Sequence, residues 1–513
     1  MEKLHITITN RIQIHYPIPD AIRLQYKAFE QAVKADNAID NPAYAEAVKH
    51  GRSTFGIRPR IILCQFDQAA NALTLPRGYA GRLLWLLKRH GIEAQVEDVR
   101  RELPMVLYRS KIQLRPYQVP AVEALLRATQ GILEAPAGSG KTEMGLEIVA
   151  KIGQPALWLA HTLDLAEQVM ARAEASLGIP RSEIGLIGNG VCRVGERLTI
   201  GIIQTLARMV NLPTATNETR LCDIASLFGL VLLDECHHSA STSWSTVIDQ
   251  LPARWRYGVT ATKDRADGLT ILIDRFIGPT LAKIDRSVVE ASGGTIVPEL
   301  RTVKTETRSP AYERHEQRLK KYKQQCEEYK LRDIQEPRKP MLRYNDVLDD
   351  ILNDQQRNEL IIQTLIQECP GHRSLVLSER VDHCETLSEM LTVPGLRDAV
   401  VHGKLPKRKR DGIIQAMTNG NLDILFAVDL AKEGLDIPRL DRLFLVAGGR
   451  NESELEQKVG RIQRAFAGKR DAIVWDFVDE AVGVLRAQYW ARRKVYKRLG
   501  MLESGSGEAR AAG

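Results

Sequence analysis

Short apolar runs separated by helically spaced stretches dominate two regions of this chain. In the first region the runs are Gly131-Ile132-Leu133, Pro155–Ala160, Leu198–Ile203 and Leu230–Leu233. They are continuously apolar, so each reads as a strand buried on both faces. The second region, from about Gln355 to Phe477, repeats the pattern with Ser374–Leu377, Asp398–Val401, Ile424–Ala427, Arg442–Val446 and Ala472–Trp475. Buried strands alternating with helical stretches predict parallel sheets covered on both sides, an α/β architecture.

The flanks read differently. Before Leu114, His5–Thr9 and Arg11–His15 alternate like half-buried strands, and Arg60–Cys64 is a further strand candidate. Tyr26–Val48 is helical in pattern, broken at Asn41-Pro42; Leu75–Tyr79 reads as a turn into a helix over Ala80–His90, which Gly91 ends. Between the two α/β regions the pattern fades near Ile284. Residues 303–357 carry 13 Lys and Arg and 11 Asp and Glu, and Tyr312–Lys330 is charged nearly all round. A last amphipathic helix, about Glu480–Leu499, is rich in Arg and Lys, and the small polar tail from Glu503 reads as disordered. The expected organisation is a small α/β accessory domain at 1–108, a first α/β domain at 109–287 and a charged helical linker at 288–354. A second α/β domain follows at 355–480, then a helix and tail at 481–513.

Composition narrows the picture. A chain of 513 residues is too long for one core. The net charge of +8 leans toward a polyanionic partner. Residues 1–110 hold 16 Lys and Arg against 11 Asp and Glu, a net of +5, which suits nucleic-acid recognition or a plain solvated surface equally well. Seven scattered cysteines without paired spacing give neither a disulfide framework nor a zinc site and suit a reducing cytoplasm. The first residues lack the apolar core of a signal peptide, and no run is long enough to span a bilayer, so no membrane partner is expected.

The candidate chemistry begins at Ala135–Thr142. Strand, small-residue loop, Gly140-Lys141-Thr142 and helix is the context of a phosphate-binding loop, with Ala135 where the common motif has Gly. Ala137, Gly138, Ser139 and Gly140 would let backbone N–H groups curl around phosphates at a helix N-terminus. Lys141 would reach the β- and γ-phosphates of ATP, and the Thr142 hydroxyl would hold Mg2+. Asp234-Glu235-Cys236-His237 follows the apolar run Leu230–Leu233. A carboxylate at that strand end would bind Mg2+ through Asp234, and Glu235 would orient and deprotonate the attacking water. The His237-His238 pair has no further ligands at metal spacing, so zinc is not expected.

These motifs, in this order over roughly residues 114–477, resemble the superfamily 2 helicases and translocases. The resemblance implies two tandem RecA-like domains. It makes Leu114–Gln118 a nucleotide-reading segment through Arg115 and Gln118, with Gln118 on adenine. Ala160-His161-Thr162 and Ile203-Gln204-Thr205 are similar to strand-contacting segments, Gly258–Thr262 to motif III and Val401-His402-Gly403 to a strand contact of the second domain. Ala427–Pro438 matches motif V, implying nucleotide contacts for Gly434 and Asp436. Gln457–Arg464 matches the QxxGRxxR motif VI, implying catalytic roles for Gln457, Arg461 and Arg464. Arg461 and Arg464, three apart, would share one helix face and act as arginine fingers. Within the superfamily the chain resembles XPB-type and phage UvsW-type DNA helicases. The XPB-type Arg-Glu-Asp element would fall at Arg265-Ala266-Asp267, without its acidic middle residue, and that stretch also resembles restriction-system motor subunits. The expected activity is ATP- and Mg2+-dependent movement along single-stranded, branched or duplex DNA in repair, recombination or defence. RNA is the alternative substrate, and an ATP-switched scaffold the alternative class.

Overall fold

The computed structural model describes residues 3–213, 218–237, 242–263, 268–331, 338–428, 437–449, 452–464, 466 and 468–501. Two compact units divide the chain, Met1–Val289 and Glu290–Gly513.

In the first unit, a five-stranded sheet runs in the order Gln65–Asp67, Ala72–Pro76, Arg11–His15, Leu4–Ile8, Ala94–Asp98. Its apolar face, Leu4, Ile6, Ile12, Ile14, Leu73 and Leu75, packs with Phe29 and Val33 of the helix Arg23–Asp36 and with Leu83 and Leu86 of Ala80–Arg89. Leu75 and Pro76 thus close a strand rather than form the expected turn, because the Arg11–Pro76 and Ile12–Leu75 pairings carry the ladder to that point. The first helix ends earlier than expected, at Asp36, and a strand, Ala38–Asp40, follows; Asn41 then starts the next helix, its side chain accepting from the Ala43 N–H to cap Pro42–Lys49, with Pro42 in the first turn.

An eight-stranded sheet makes up the rest of this unit, in the order 191–193, 185–188, 198–202, 156–160, 230–234, 255–260, 130–134, 280–283. Neighbours are parallel except the first pair, which is antiparallel. The continuous apolar runs have the expected cause. Leu230 and Leu232 join Trp158 and Ile200 in the core on one face, while Val231 and Leu233 join Leu157 and Leu159 in the core on the other.

Basic residues of the accessory region turn inward against this sheet. Arg77 is 1% exposed and donates to the carbonyls of Ala253 (2.6 Å) and Arg254 (3.4 Å) and to Gln130 Oε1 (2.9 Å). Burial holds its guanidinium well below the usual arginine range. Arg11 pairs with Asp249 at 2.5 Å, and Arg275 stacks over the Tyr79 ring at 4.7 Å. Leu63 lies in the same core as Ile132 and Leu157.

The second unit is built on a six-stranded, all-parallel sheet ordered 299–305, 473–479, 442–445, 374–378, 424–428, 398–401. Its strands alternate between two cores in the same way, Leu375 and Leu377 on one face and Val376 with Phe426 and Phe444 on the other. The stretch read as a charged linker holds a strand, Glu299–Thr305, paired along its length with Ile473–Asp479. Alternating polar residues had masked it, since this strand lies at the sheet edge. The charged stretch itself is the helix Pro310–Leu331. Among the described residues no helix is long and apolar enough to cross a membrane.

Candidate nucleotide-hydrolysing site

The carboxyl ends of three strands of the eight-stranded sheet meet at one edge. Glu134 pairs with Thr260, and Asp234 with Val259, so the loops after residues 134, 234 and 260 emerge side by side. In open parallel sheets that edge is where ligands bind.

The loop Ala135–Gly140 leads from strand to helix. Gly138 and Gly140 lie at φ +80° and +82°, a region that side chains disfavour. A Cβ on Gly140 would also fall 2.5 Å from Gln118 Nε2. The Ala135 N–H donates to the Thr260 carbonyl at 2.9 Å, tying the loop to the end of the neighbouring strand. Ala137 is half-buried and Gly138 exposed, while Ser139 is buried. The helix Lys141–Ile152 starts at Lys141, with Thr142 in its first turn, so the N–H groups of that turn face the loop.

Gln118, expected on adenine, meets the loop here. It is 4% exposed; its Nε2 donates to the Ser139 carbonyl at 2.6 Å, and its Oε1 accepts from the Arg115 N–H at 2.7 Å. Tyr117 adds a hydroxyl to the same Ser139 carbonyl at 3.1 Å. The Gln118 amide is therefore engaged at both ends, its Nε2 bracing the loop and its Oε1 holding its own segment at Arg115. Arg115 is exposed beside Tyr117, 3.3 Å from its hydroxyl.

The acidic pair is strained and crowded. Glu235 sits at φ +47°, unusual for a residue with a side chain. Lys141 Nζ lies 3.8 Å from Glu235 Oε1 and donates to the Ala135 carbonyl at 3.3 Å. The Asp234 carboxyl is pushed up to about 7, by burial first and then by the Glu235 charge, with Lys141 opposing. A buried carboxylate beside a second acid, with a helix-start hydroxyl as the other donor, is an all-oxygen set of the kind that holds Mg2+. By donor chemistry, Asp234 and Thr142 would suit that ion.

Sequence reading missed the connection between this pair and the third strand. His237 Nδ1 lies 3.4 Å from Glu235 Oε2 and 3.0 Å from Thr260 Oγ1, and Thr260 in turn donates to the Thr262 carbonyl at 2.7 Å. The available signal was the spacing: a histidine two residues past Glu235, and a threonine closing an apolar strand. Along the same edge, His161 Nδ1 and Gln204 Nε2 approach to 3.4 Å, because their strands are in register at Ala160 and Ile202.

In the second unit Gln457 and Arg461 lie on the helix Glu452–Ile462. Arg464 lies beyond the helix end and bridges to Thr295, so the two arginines do not share a helix face as expected. At the helix end the Lys469 ammonium donates to the carbonyls of Leu440 (2.6 Å), Arg464 (2.9 Å) and Ile462. Burial lowers Lys469 to about 8. Gly434 and Asp436, most of motif V, His238 and Arg265–Asp267 lie outside the described residues.

Residues 111–265 match the family "Type III restriction enzyme, res subunit", and residues 356–466 match "Helicase conserved C-terminal domain". The DNA 3'-5' translocase XPB2 of Sulfurisphaera tokodaii is 26% identical over 398 residues, 74% of this chain and 85% of the relative. Probable helicase D10 of Escherichia phage T5 is 26% identical over 430 residues, 81% of this chain and 82% of the relative. A solved structure of a point variant of S. cerevisiae Dbp5 bound to RNA and ADP BeF3 shares the fold, with a TM-score of 0.51 and 14% identity over 87% of this chain and 95% of that one. Two RecA-like parallel sheets, the helicase domain matches and these relatives agree: the chain belongs to the superfamily 2 helicases and translocases, motors that hydrolyse ATP in dependence on nucleic acid.

Proposed function

We propose that this chain is an ATP- and Mg2+-dependent DNA helicase or translocase acting on branched or duplex DNA in repair, recombination or defence. The observation that carries the chemistry is the convergence of Lys141, Asp234 and Glu235 at the carboxyl edge of the first sheet, with Lys141 Nζ 3.8 Å from Glu235. The loop N–H groups of Ala137, Gly138, Ser139 and Gly140 would cradle the phosphates, and Lys141 would neutralise the β- and γ-oxygens. Thr142 and Asp234 would hold Mg2+, which would supply neutralisation of the phosphate charge. Glu235, set apart from Asp234 by its unusual backbone, would take the proton of the attacking water. Arg461 and Arg464 would stabilise the charge that develops on the departing phosphoryl group, with Gln457 positioning the water or the phosphate. Gln118 and Arg115 would hold the loop in shape at the nucleotide edge, and Gly434 and Asp436 would contribute from motif V.

DNA is favoured over RNA because XPB2, which aligns over most of its length, is a DNA translocase by name. We place the protein in the cytoplasm, where such a substrate lies. ATPase rates measured side by side with single-stranded, forked and duplex DNA and with RNA test this reading. Stimulation by DNA above RNA supports it. Stimulation by RNA alone overturns the DNA assignment, and no stimulation by any of them overturns the motor.

A further inference from the structure

The helix Gly483–Arg498 has the sequence GVLRAQYWARRKVYKR, with six Arg or Lys and no Asp or Glu. A helix that is merely solvated usually carries both signs, paired three or four residues apart. Two of these cations are engaged. Arg492 is buried and donates to both Asp476 oxygens, at 2.9 and 2.8 Å, while the Tyr496 hydroxyl donates to the same carboxylate at 2.8 Å. Arg498 reaches Glu452 at 3.2 Å and Glu456 at 3.1 Å. Together with Leu485, Gln488, Tyr489 and Val495, Arg492 and Tyr496 fix one face of the helix inside the unit.

The opposite face is outward. Arg486, Trp490, Arg493, Lys494 and Lys497 recur at spacings of three and four, so they form one stripe. Among the described residues none of its four cations makes an ion pair. Trp490 stands in the middle of the stripe, 54% exposed, with the Arg493 guanidinium 5.2 Å from its ring centroid. Exposing a large indole costs solvation, and cations on either side of it are the pattern of a surface for a polyanion with flat apolar groups.

We propose that this stripe binds single-stranded nucleic acid, with Arg486, Arg493, Lys494 and Lys497 on backbone phosphates and an unpaired base stacked on Trp490. The inference rests on the motor reading but concerns a surface outside every helicase motif. An unpaired base has a free face for the indole; a base inside a duplex does not.

The experiment uses the full chain and fluorescence anisotropy with a single-stranded oligonucleotide and a blunt duplex of the same length. Trp490→Ala is expected to weaken single-strand binding about tenfold and leave duplex binding unchanged, with Trp490→Phe restoring most of the loss. The triple variant Arg486→Gln, Lys494→Gln, Lys497→Gln is expected to flatten the single-strand dependence of log K on log salt by about 2. Basal ATPase without nucleic acid and thermal melting should match wild type in every variant. Wild-type affinity and salt slope in both sets of variants overturn the assignment of this helix while leaving the motor reading intact. Equal loss on single strand and duplex in Trp490→Ala overturns the stacked base. Absence of oligonucleotide binding and of stimulated ATPase in the wild type removes the motor reading itself, and this surface with it.

Discussion

The two large sheets share a plan but differ in the polar groups gathered at particular places on them. At the carboxyl edge of the first, Asp234, Glu235 and Lys141 are crowded, the Asp234 carboxyl is pushed up to about 7, and Glu235 holds a strained backbone. In the second, one set of buried side chains is joined by hydrogen bonds. Ser378 Oγ meets His383 Nδ1 at 2.8 Å, and His383 Nε2 meets Asn358 Oδ1 at 2.9 Å. Asp479 accepts from Arg357 at 2.7 Å and from Thr305 at 2.7 Å. A closed network stabilises; a crowded one is ready for a ligand that brings charge. The difference supports the proposed hydrolysis at the first sheet; the roles proposed for Gln457, Arg461 and Arg464 are what the first prediction tests.

The largest expected effect tests that contribution. Arg464→Ala should bind ATP nearly as wild type yet hydrolyse it about a thousandfold more slowly in single turnover, because a finger acts on charge present only in the transition state. Lysine at 464 should not rescue, since it lacks the planar fork. Near-wild-type hydrolysis in Arg464→Ala would confine the chemistry to the first sheet alone.

Glu235→Gln comes next. It keeps the shape and loses the base, so hydrolysis should fall by about a hundredfold or more while a fluorescent ATP analogue still binds. Unchanged turnover would remove Glu235 from its role.

Arg77→Met probes the inward-turned charge of the accessory region. Three acceptors, Ala253 O, Arg254 O and Gln130 Oε1, lose their donor, so urea unfolding should show a loss of about 3 kcal/mol. An unchanged midpoint would mean that the accessory region does not depend on this anchor.

The smallest effect concerns the closed network. Burial pushes His383 down to about 3, from an ordinary value of 6.5. Above 6.5 the residue is neutral in both folded and unfolded chains. Below it the unfolded chain takes up a proton that the folded chain refuses, so stability falls with pH by about 1.4 kcal/mol per unit. Urea melts at pH 5 should show about 2 kcal/mol less stability than at pH 7 from this group. His383→Gln should remove that part of the slope; an identical slope would show that His383 is not the group responsible.

Much of this was legible in the sequence because the signals are local. Short continuous apolar runs between helical stretches read as strands buried on both faces, and the runs at 156–160, 230–233 and 424–427 are strands here. The glycine loop and the acid after Leu233 depend on neighbouring residues only. What the sequence concealed depends on distant partners. Arg77 and Arg11 count as surface charge until the carbonyl of Ala253 and the carboxylate of Asp249 are seen to receive them. Gln118 matches a nucleotide-reading motif, yet its amide is taken by Ser139, 21 residues away. Arg461 and Arg464 have helical spacing, but the helix ends between them, where Lys469 meets the Arg464 carbonyl. Glu299–Thr305 pairs with a strand far along the chain, so its edge position could not be read from its own alternation.

The central claim is that Lys141, Asp234 and Glu235 form an ATP-hydrolysing site. Lys141→Ala, checked for an unchanged melting temperature, tests it most directly in single-turnover hydrolysis at saturating ATP and DNA. The account predicts a loss of at least about a hundredfold, because the loop's ammonium, 3.8 Å from Glu235, is gone. Wild-type turnover in the folded variant would contradict it.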